Sequence, residues 1–289
     1  QSSAAKPMPI SSELSEILSA RERWQRRGSG AFDPRVEVLS RLWSSAAKRD
    51  RLPTAAELQG SLSRLSRPAW RLDQKARTAQ RLSDCPLSLN AIAKGEIVER
   101  ACTIATRPDR GVRGLLLNLG GDLRASGEMA TTLGIASPWA DSESSPPMAL
   151  VRVAHRAVAT SGKSQRGFQV GGQWFSHVLD PRTGMPADRV AGATVIARRS
   201  ADADALATIC NVLDPDQSLR LVRSVPDAQC MIIRSDGQIR RSDGWQRFEV
   251  TPQPLSSLAL GPDASPSEKT KDAQDDRPGW SGFRADGSP

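Results

Sequence analysis

FSHVLDPRTGMP, residues 175–186, places one of the two histidines of this chain inside a run of turn-forming residues. Pro181 fixes φ and Gly184 accepts a positive φ, so we expect a tight turn that holds His177 and Asp180 on a loop. A histidine titrates near neutral pH and suits proton transfer, whereas a surface turn with a satisfied histidine would explain the same sequence. This segment alone leaves both interpretations open.

Length and composition describe a protein with a hydrophobic core and a basic surface. The 289 residues include 38% hydrophobic residues, so we expect one domain followed by a tail. The formal charge is +8, but the lysines and arginines are scattered, there is no tyrosine and there are few phenylalanines. We therefore expect no nucleic-acid partner. Part of the positive charge favours an anionic ligand such as a dinucleotide.

The cysteines and histidines argue against a zinc site. The cysteines are widely spaced, form no CxxC pair and are expected to be buried free thiols, at positions Cys85, Cys102, Cys210 and Cys230. Any metal should therefore be a hard ion bound by oxygen atoms. No segment resembles a transmembrane span or a signal peptide, so we expect membrane association only through an anchor outside this chain.

The spacing of apolar and capping residues predicts several helices. One follows Ser11 and Ser12, and another starts at Thr54, where Thr54 and Glu57 form a capping box. In the second of these, the expected buried stripe is Leu58, Leu62 and Leu65. A third helix is expected over 91–104, with an apolar face formed by Ile92, Ile97, Ala101 and Ile104. A fourth is expected to start at Ser200 as its cap and to end at Leu213. A fifth is expected after Asp214, where Pro215 and Gln217 occupy preferred positions of a first turn.

Short apolar runs predict strands between these helices. They cover 115–119, 149–153, 193–197 and 229–234. The first of these strands is expected to be buried, and the last is expected to form a hairpin with the segment around Ile239. His155 is expected in a strand with a structural role. Because no regular βαβ rhythm is present, the predicted fold class is α+β, with mixed or antiparallel sheets and packed helices.

The composition changes after about residue 250 to proline, serine, aspartate, lysine and glycine. Such a segment buries too little apolar surface to offset its ordering entropy. We therefore predict a single domain over 1–250 and a disordered tail over 251–289, in which Trp280 and Phe283 are isolated aromatic residues.

Oxygen-bearing side chains mark a candidate metal site. Asp204 and Thr208 stand four residues apart on a predicted helix, so their oxygens share one face and suit a magnesium ion. An acid favoured by the helix dipole beside an ordinary threonine would give the same pattern. Lys94 either holds a phosphate or is a solvated lysine.

A glycine-rich corner follows the strand predicted over 115–119. It contains Asn118, Gly120, Gly121 and Asp122, and glycines there let a ligand approach the backbone. The same NxGGD sequence also occurs in ordinary turns.

Several segments follow one another in a fixed order along the chain. They are GSGAFDPRVEVLSRLW (28–43), LSLNAIAKGEIVERA (87–101), LLLNLGGDLRASG (115–127), AVATSGKSQRGF (157–168) and SADADALATICNVL (200–213). Together with the histidine loop (175–186), these segments resemble the ApbE family, the FAD:protein FMN transferases. The resemblance spans about residues 11–250, and spaced motifs in a fixed order are more specific than any one motif.

This resemblance implies a T-fold-like domain and a magnesium-dependent flavin transferase. Its substrate would be FAD, and FMN would pass to a threonine of an acceptor protein with a Ser/Asp-Gly-x-Thr-like motif, releasing AMP. Two alternatives stay open: an FAD pyrophosphatase that uses water, and an FAD-binding protein without catalysis. The resemblance also implies a location in the periplasm or on the outer face of the bacterial inner membrane.

The resemblance also implies roles for individual residues. The metal ligands would be Asp204, Thr208 and a backbone carbonyl assigned to Ala91. His177 is the candidate general base, with Asp180 beside it. The FAD site would comprise Lys94, Asn118, Gly120, Gly121, Asp122, Thr160, Ser161, Gly162, His177 and Val178.

Some positions depart from the family pattern. Asn90 and Ala91 stand where two glycines are frequent, Glu96 replaces an aromatic residue, and Glu99 replaces an aspartate. Lys163 stands where an acidic residue is frequent. The family's usual first strand, with the polar segment that closes one wall of the flavin pocket, is not recognisable.

Overall fold

The computed structural model describes residues 5–142, 144–162 and 166–251. The chain divides into two units, Gln1–Pro252 and Gln253–Pro289, and the described residues belong to the first. The predicted tail, including Trp280 and Phe283, lies outside the described residues beyond Thr251. The predicted domain boundary therefore stays a prediction.

The predicted helices and their caps are largely confirmed. Ser11 caps the first helix by accepting a hydrogen bond from the Leu14 amide at 3.2 Å, and the Thr54–Glu57 capping box is present. Asp214 is the N-cap of the last helix. The helices of the described residues are α1 (Ser12–Arg27), α2 (Glu37–Lys48), α3 (Ala55–Leu65), α4 (Ala93–Ala105), α5 (Ser200–Val212) and α6 (Pro215–Arg223).

The strands pair antiparallel throughout the described residues. They are β1 (Met8–Pro9), β2 (Trp70–Asp73), β3 (Thr78–Arg81), β4 (Gly114–Leu119), β5 (Asp122–Gly127), β6 (Ala130–Ile135), β7 (Ala149–Ala154), β8 (Ala157–Gly162), β9 (Gly167–Val170), β10 (Gln173–Ser176), β11 (Val190–Ala197), β12 (Gln229–Arg234), β13 (Ile239–Arg241) and β14 (Glu249–Val250).

A six-stranded sheet in the order β13-β12-β11-β8-β5-β4 forms the centre of the fold. Its central strand β11 is buried along its whole length. Because successive side chains alternate between faces, Val195 joins the core on the helical side while Ile196 joins the core on the other side. The three-stranded sheet β14-β7-β6 contributes Val151 and Val153 to that second core. The fold class is therefore α+β, as predicted.

Helix α5 packs against strands β8 and β11 and is almost entirely buried. Small residues dominate the contact, which lets the helix lie close to the sheet; they include Ala203, Ala205 and Ala207 on the helix and Ala157, Ala159, Ala193 and Ala197 on the strands. This close packing fixes the position of the helix that bears Asp204 and Thr208.

Two predictions of burial are wrong. Ile97 and Ile104 are 55% and 47% exposed, because α4 instead buries the face that contains Gly95, Val98 and Cys102. The strand over 115–119 is the edge strand β4, only partly buried.

Two local assignments also need correction. Ser200 does not cap α5: the N-cap residue is Arg199, and the Ser200 amide donates to the Glu99 carboxylate at 2.6 Å. His155 lies outside the strands, at an exposed turn with φ of 51° between β7 and β8.

The four cysteines are buried and free, as predicted. No helix in the described part of the chain combines the length and apolar content needed to cross a bilayer. The predicted lack of the family's first strand and pocket wall stays a prediction; the observed β1 pairs with β3.

Candidate active site

A cavity of about 700 Å³ collects most of the residues that the sequence predicted for the site. It lies where the turn before α4, the ends of β5 and β8, the histidine loop and α5 meet. The predicted residues that line it are Ala91, Lys94, Gly120, Asp122, Thr160, Ser161, Gly162, His177, Val178, Asp204 and Thr208. Residues separated by more than a hundred positions in sequence thus share one cleft.

Two buried carboxylates face this cleft. Asp122 is 3% exposed and pairs with the Lys94 ammonium at 2.8 Å. Asp204 is 6% exposed, and its Oδ2 atom has no hydrogen-bond partner. Burial, reinforced by the charge of Asp122, raises the pKa of Asp204 to about 7, against the opposing effects of Lys94, the Gly95 amide and Arg21. A buried carboxylate oxygen without a partner is a site suited to a cation.

The donor set around Asp204 fits a hard cation. Thr208 lies one helical turn beyond Asp204 and lines the same cleft, and Ala91 lines it from the turn before α4. Ala91 has φ of 63°, a conformation that costs an L-residue about 1–2 kcal/mol. Carboxylate, hydroxyl and carbonyl oxygens are the ligands that magnesium prefers. No group of three or more His, Cys, Asp or Glu able to hold a metal occurs among the described residues.

Helix α4 holds the start of α5 next to this cluster. A Cβ atom on Gly95 would lie 2.6 Å from the Ser200 carbonyl oxygen, so only glycine permits this approach. The Glu99 carboxylate accepts a hydrogen bond from the Ser200 amide, and the Glu96 carboxylate forms a salt bridge with the Arg199 guanidinium at 3.0 Å. The two glutamates that depart from the family pattern therefore stabilise the N-terminus of α5, whose unpaired amides favour negative charge.

A buried arginine from α1 completes the inner wall. Arg21 is 1% exposed, and its Nη2 donates to the Asn90 carbonyl oxygen at 2.5 Å. Its guanidinium also lies 5.8 Å from the centre of the Phe32 ring. Burial lowers the pKa of Arg21 to about 10, against the charges of Asp204 and Asp33, so Arg21 is charged at neutral pH.

The glycine corner between β4 and β5 is a tight turn. Gly120 and Gly121 have φ of 59° and 93°, and the Asn118 side-chain oxygen accepts the Gly121 amide at 3.0 Å. Gly120 and Asp122 line the cleft. Asn118 and Gly121 are outside the set of described residues that line it, and Asn118 stabilises the turn.

The end of β8 is held by neighbouring strands and by α5. Thr160 and Thr194 share a hydrogen bond of 2.9 Å between their hydroxyl oxygens. Asn211 on α5 donates to the Ser161 carbonyl oxygen at 2.8 Å. A Cβ atom on Gly162 would lie 2.6 Å from the Ala191 carbonyl oxygen, so this strand end needs glycine. Lys163, which departs from the family pattern, lies outside the described residues.

His177 lies at the accessible side of the cleft. Its Nδ1 lies 3.0 Å from the Arg166 carbonyl oxygen. Because a carbonyl only accepts, Nδ1 carries the proton and Nε2 keeps its lone pair. Partial desolvation of the imidazole in the cleft lowers the pKa of His177. The hydrogen bond to the Arg166 carbonyl opposes this shift, and the Arg166 charge adds to it. His177 is therefore neutral near pH 7 and able to accept a proton at Nε2.

Asp180 shapes the turn beside His177. Its carboxylate accepts from the Arg182 backbone amide at 2.9 Å and from the Arg182 Nη2 atom at 2.7 Å. The predicted turn is present, with Gly184 at φ of 75° and its carbonyl accepting from the Trp43 indole at 2.8 Å. Asp180 is outside the set of described residues that line the cleft.

One wall of the cleft, formed by residues 31–40, contains none of the predicted site residues, although segment 28–43 resembles the family. Ala31, Phe32, Asp33, Val36, Glu37 and Ser40 line the cleft there. A usable signal was present, because FDPR at 32–35 repeats the DPR of the histidine loop. Asp33 binds the Arg35 amide at 2.8 Å and the Arg35 guanidinium, in the same pattern as Asp180 and Arg182.

A model of the ApbE family matches residues 1–232 of this sequence. The chain belongs to the ApbE family. Among curated proteins, it is 28% identical over 257 residues to the FAD:protein FMN transferase of Treponema pallidum, covering 82% of this chain and 70% of that protein. It is 27% identical over 249 residues to the FAD:protein FMN transferase of Klebsiella pneumoniae, covering 85% of this chain and 76% of that protein.

Solved structures give the same assignment. The crystal structure of the ApbE protein of Thermotoga maritima superposes with a TM-score of 0.73 at 28% identity, over 85% of this chain and 81% of that one. The flavin transferase ApbE of Vibrio cholerae has a TM-score of 0.68 at 22% identity, over 84% and 79%, which supports the fold alone. The predicted membership of the ApbE family and the predicted fold class are therefore both confirmed.

Proposed function

We propose that this protein is a transferase that moves FMN from FAD to a threonine hydroxyl of an acceptor protein, with magnesium bound and AMP released. The names of its ApbE relatives support the flavin transfer. The magnesium ion, the threonine acceptor and the release of AMP are our extension.

One observation supports this function most strongly. The cleft holds a buried carboxylate oxygen without a partner, on Asp204, and a neutral imidazole with a free Nε2 atom, on His177. A cation site and a general base in one cleft are what phosphoryl transfer to a hydroxyl requires.

The residues of the chain would act as follows. The acceptor hydroxyl oxygen attacks the phosphorus on the FMN side of FAD, and the hydroxyl proton passes to Nε2 of His177. The bond between that phosphorus and the bridging oxygen breaks, and AMP leaves with that oxygen. The Arg166 carbonyl keeps the required tautomer of His177 by accepting from Nδ1.

Asp204, Thr208 and the Ala91 carbonyl would hold the magnesium ion, which when bound would polarise the phosphates and offset developing charge. Lys94, fixed by Asp122 at 2.8 Å, would contact a phosphate oxygen and help to orient FAD. Thr160, Ser161, Gly162, Gly120 and Val178 would line the remainder of the dinucleotide site.

Water in place of the acceptor hydroxyl would make the same cleft an FAD pyrophosphatase, and the second alternative is an FAD-binding protein without catalysis. The acceptor with a Ser/Asp-Gly-x-Thr-like motif and the periplasmic or outer-face location stay predictions from the family resemblance.

One incubation distinguishes these functions. The full chain is mixed with FAD, Mg²⁺ and an acceptor that contains the Ser/Asp-Gly-x-Thr-like motif, and the nucleotides and the acceptor are separated by liquid chromatography. Transfer predicts a flavin on the acceptor in equal amount to the AMP released. Free FMN equal to the AMP indicates a pyrophosphatase, and unchanged FAD indicates binding alone; either result contradicts the proposed transfer.

A further inference from the structure

We propose that Arg21 is a positioning residue for the cation site: it holds the Asn90–Ala91 peptide so that Ala91 keeps the left-handed conformation in which it lines the cleft. This inference rests on the proposed function, because it concerns the oxygen site of Ala91, Asp204 and Thr208. It assigns a role in that site to helix α1, which contributes none of the proposed ligands.

The contact between Arg21 and the turn is specific and buried. Arg21 is 1% exposed, and its Nη2 donates to the Asn90 carbonyl oxygen at 2.5 Å. That carbonyl and the Ala91 amide nitrogen belong to the same planar peptide unit. Because Arg21 fixes the direction of the Asn90 carbonyl, it also fixes the orientation of the peptide plane that precedes the Ala91 Cα atom.

Ala91 needs such a restraint. Its φ is 63°, and alanine has no polar side chain that could stabilise this conformation locally, as asparagine or aspartate can. On the other side of the turn, Ile92 is fully buried, and the Ala93 amide donates to the Leu89 carbonyl oxygen at 3.0 Å. With Arg21 on one side and this packing on the other, the turn is held at both ends.

A purely electrostatic role for Arg21 predicts the opposite effect on cation binding. The charge of Arg21 acts on Asp204, so its removal would leave the cluster more negative and would tighten the binding of a cation. Loss of positioning would instead weaken binding, because Ala91 would relax toward an ordinary conformation. The sign of the change therefore separates the two roles.

The test measures binding of Mn²⁺, as a probe for Mg²⁺, to the full chain without FAD, from the electron paramagnetic resonance signal of the free ion. We expect Arg21→Met to weaken binding by about 10-fold, the usual effect of removing a group that orients a ligand. Arg26→Met, at an exposed arginine of the same helix, should leave binding unchanged. Adding Ala91→Gly to Arg21→Met should restore binding to within about threefold of the parent, since glycine adopts this conformation without restraint.

Several results would overturn the inference. Unchanged or tighter Mn²⁺ binding by Arg21→Met contradicts positioning, and so does weakened binding that Ala91→Gly does not restore. If Arg21→Met does not fold, Arg21→Lys with and without Ala91→Gly replaces it. The increase in Mn²⁺ affinity caused by Ala91→Gly should then be at least about threefold larger in the Arg21→Lys protein than in the parent. Equal increases in the two proteins would reject the inference.

Asp204→Asn in the same assay separates failure of this inference from failure of the proposed function. Should Asp204→Asn bind Mn²⁺ as the parent does, the cation site itself is wrong. Weak binding by Asp204→Asn together with normal binding by Arg21→Met rejects only the role of Arg21.

Discussion

Among the single residues of the cleft, His177 is proposed as the general base, and the alternative is a purely structural role in its loop. Its Nε2 atom is free and its pKa is lowered, so at neutral pH the imidazole is uncharged and able to accept a proton. We expect His177→Ala to bind FAD nearly as the parent does and to transfer FMN about 10²–10⁴-fold more slowly, as for other positioned bases. Single-turnover transfer at saturating FAD and Mg²⁺ measures this step.

The pH profile supplies a second readout for His177. The parent rate should rise with pH through a pKa below 6.5, because only the neutral imidazole accepts the proton, and His177→Ala should lose this rise. His155→Asn is the matched control, since His155 lies at an exposed turn outside the cleft. A transfer rate of His177→Ala equal to that of the parent would rule out the base.

Asp204 links pH to stability in the metal-free protein. Its folded-state pKa of about 7 lies above the ordinary value of 3.8, so the folded protein retains a proton that the unfolded chain has released. The resulting stability is present at low pH and is lost as pH rises through about 7. The melting temperature of the parent should therefore fall more steeply than that of Asp204→Asn between about pH 4 and pH 7, the interval between the two pKa values. Parallel curves for the two proteins would show that folding does not raise the pKa of this carboxyl.

At this scale the sequence predicted local geometry better than the surroundings of each side chain. The four-residue spacing of Asp204 and Thr208 identified the helix face correctly, because both residues belong to one local element. It did not show that Asp204 would be buried, since the burial of α5 comes from its packing against β8 and β11, and β8 is distant in sequence. Arg21 stands at helical spacing with Leu14, Ile17 and Leu18, which places it on the inner face of α1. The spacing does not show its contact with Asn90, which is distant in sequence.

Among the secondary-structure elements, the contact of α4 with α5 positions the start of α5, the helix that bears Asp204. A Cβ atom on Gly95 would meet the Ser200 carbonyl oxygen and the Ala201 backbone at 2.6–2.7 Å. We expect Gly95→Ala to separate the two helices, to lower the free energy of unfolding by about 1–3 kcal/mol, and to weaken Mn²⁺ binding. Chemical denaturation and Mn²⁺ titration measure the two effects.

Gly60 on α3 provides the control for this substitution. It has open space around the position of a Cβ atom, so Gly60→Ala should stabilise the protein by up to about 1 kcal/mol through helix propensity alone. If Gly95→Ala behaves as Gly60→Ala does, the close contact of α4 and α5 does not hold the site.

The elements show where sequence patterns succeed and fail. Caps such as Thr54 with Glu57 were predictable because they are local hydrogen bonds. The buried face of α4 was not, because Ile97 and Ile104 suggested an apolar stripe while the packing of α5 selected the face with Gly95. Helix α2 was missed, although Leu39, Trp43 and Ala46 have helical spacing and are buried.

At the scale of the whole molecule, the cleft exists because the fold brings distant segments together. The antiparallel sheet places the ends of β5 and β8 beside α5, and Trp43 of α2 binds the Gly184 carbonyl of the histidine loop. The α+β class was predictable from interleaved patterns, but the strand order and this cleft wall depend on pairings across the chain. The order of motifs in the sequence, which is a whole-chain property, was the signal that identified the family.

The charges of the cleft also bear on binding at this scale. The side chains that line it include four acidic groups, Asp33, Glu37, Asp122 and Asp204, and three basic groups, Arg21, Lys94 and Arg166. A divalent cation bound among the carboxylates would offset the two negative charges of a dinucleotide pyrophosphate. The arrangement therefore favours joint binding of the cation and FAD.

Intact-mass spectrometry of the acceptor shows whether this chain attaches FMN to a protein hydroxyl. After incubation with the chain, FAD and Mg²⁺, we expect the acceptor to gain the mass of FMN less one water, at the threonine of its motif. The gain should be absent when that threonine is changed to valine and when the enzyme is Asp204→Asn. An acceptor of unchanged mass, found while FAD is converted to FMN and AMP, would show that the chain does not transfer FMN to it.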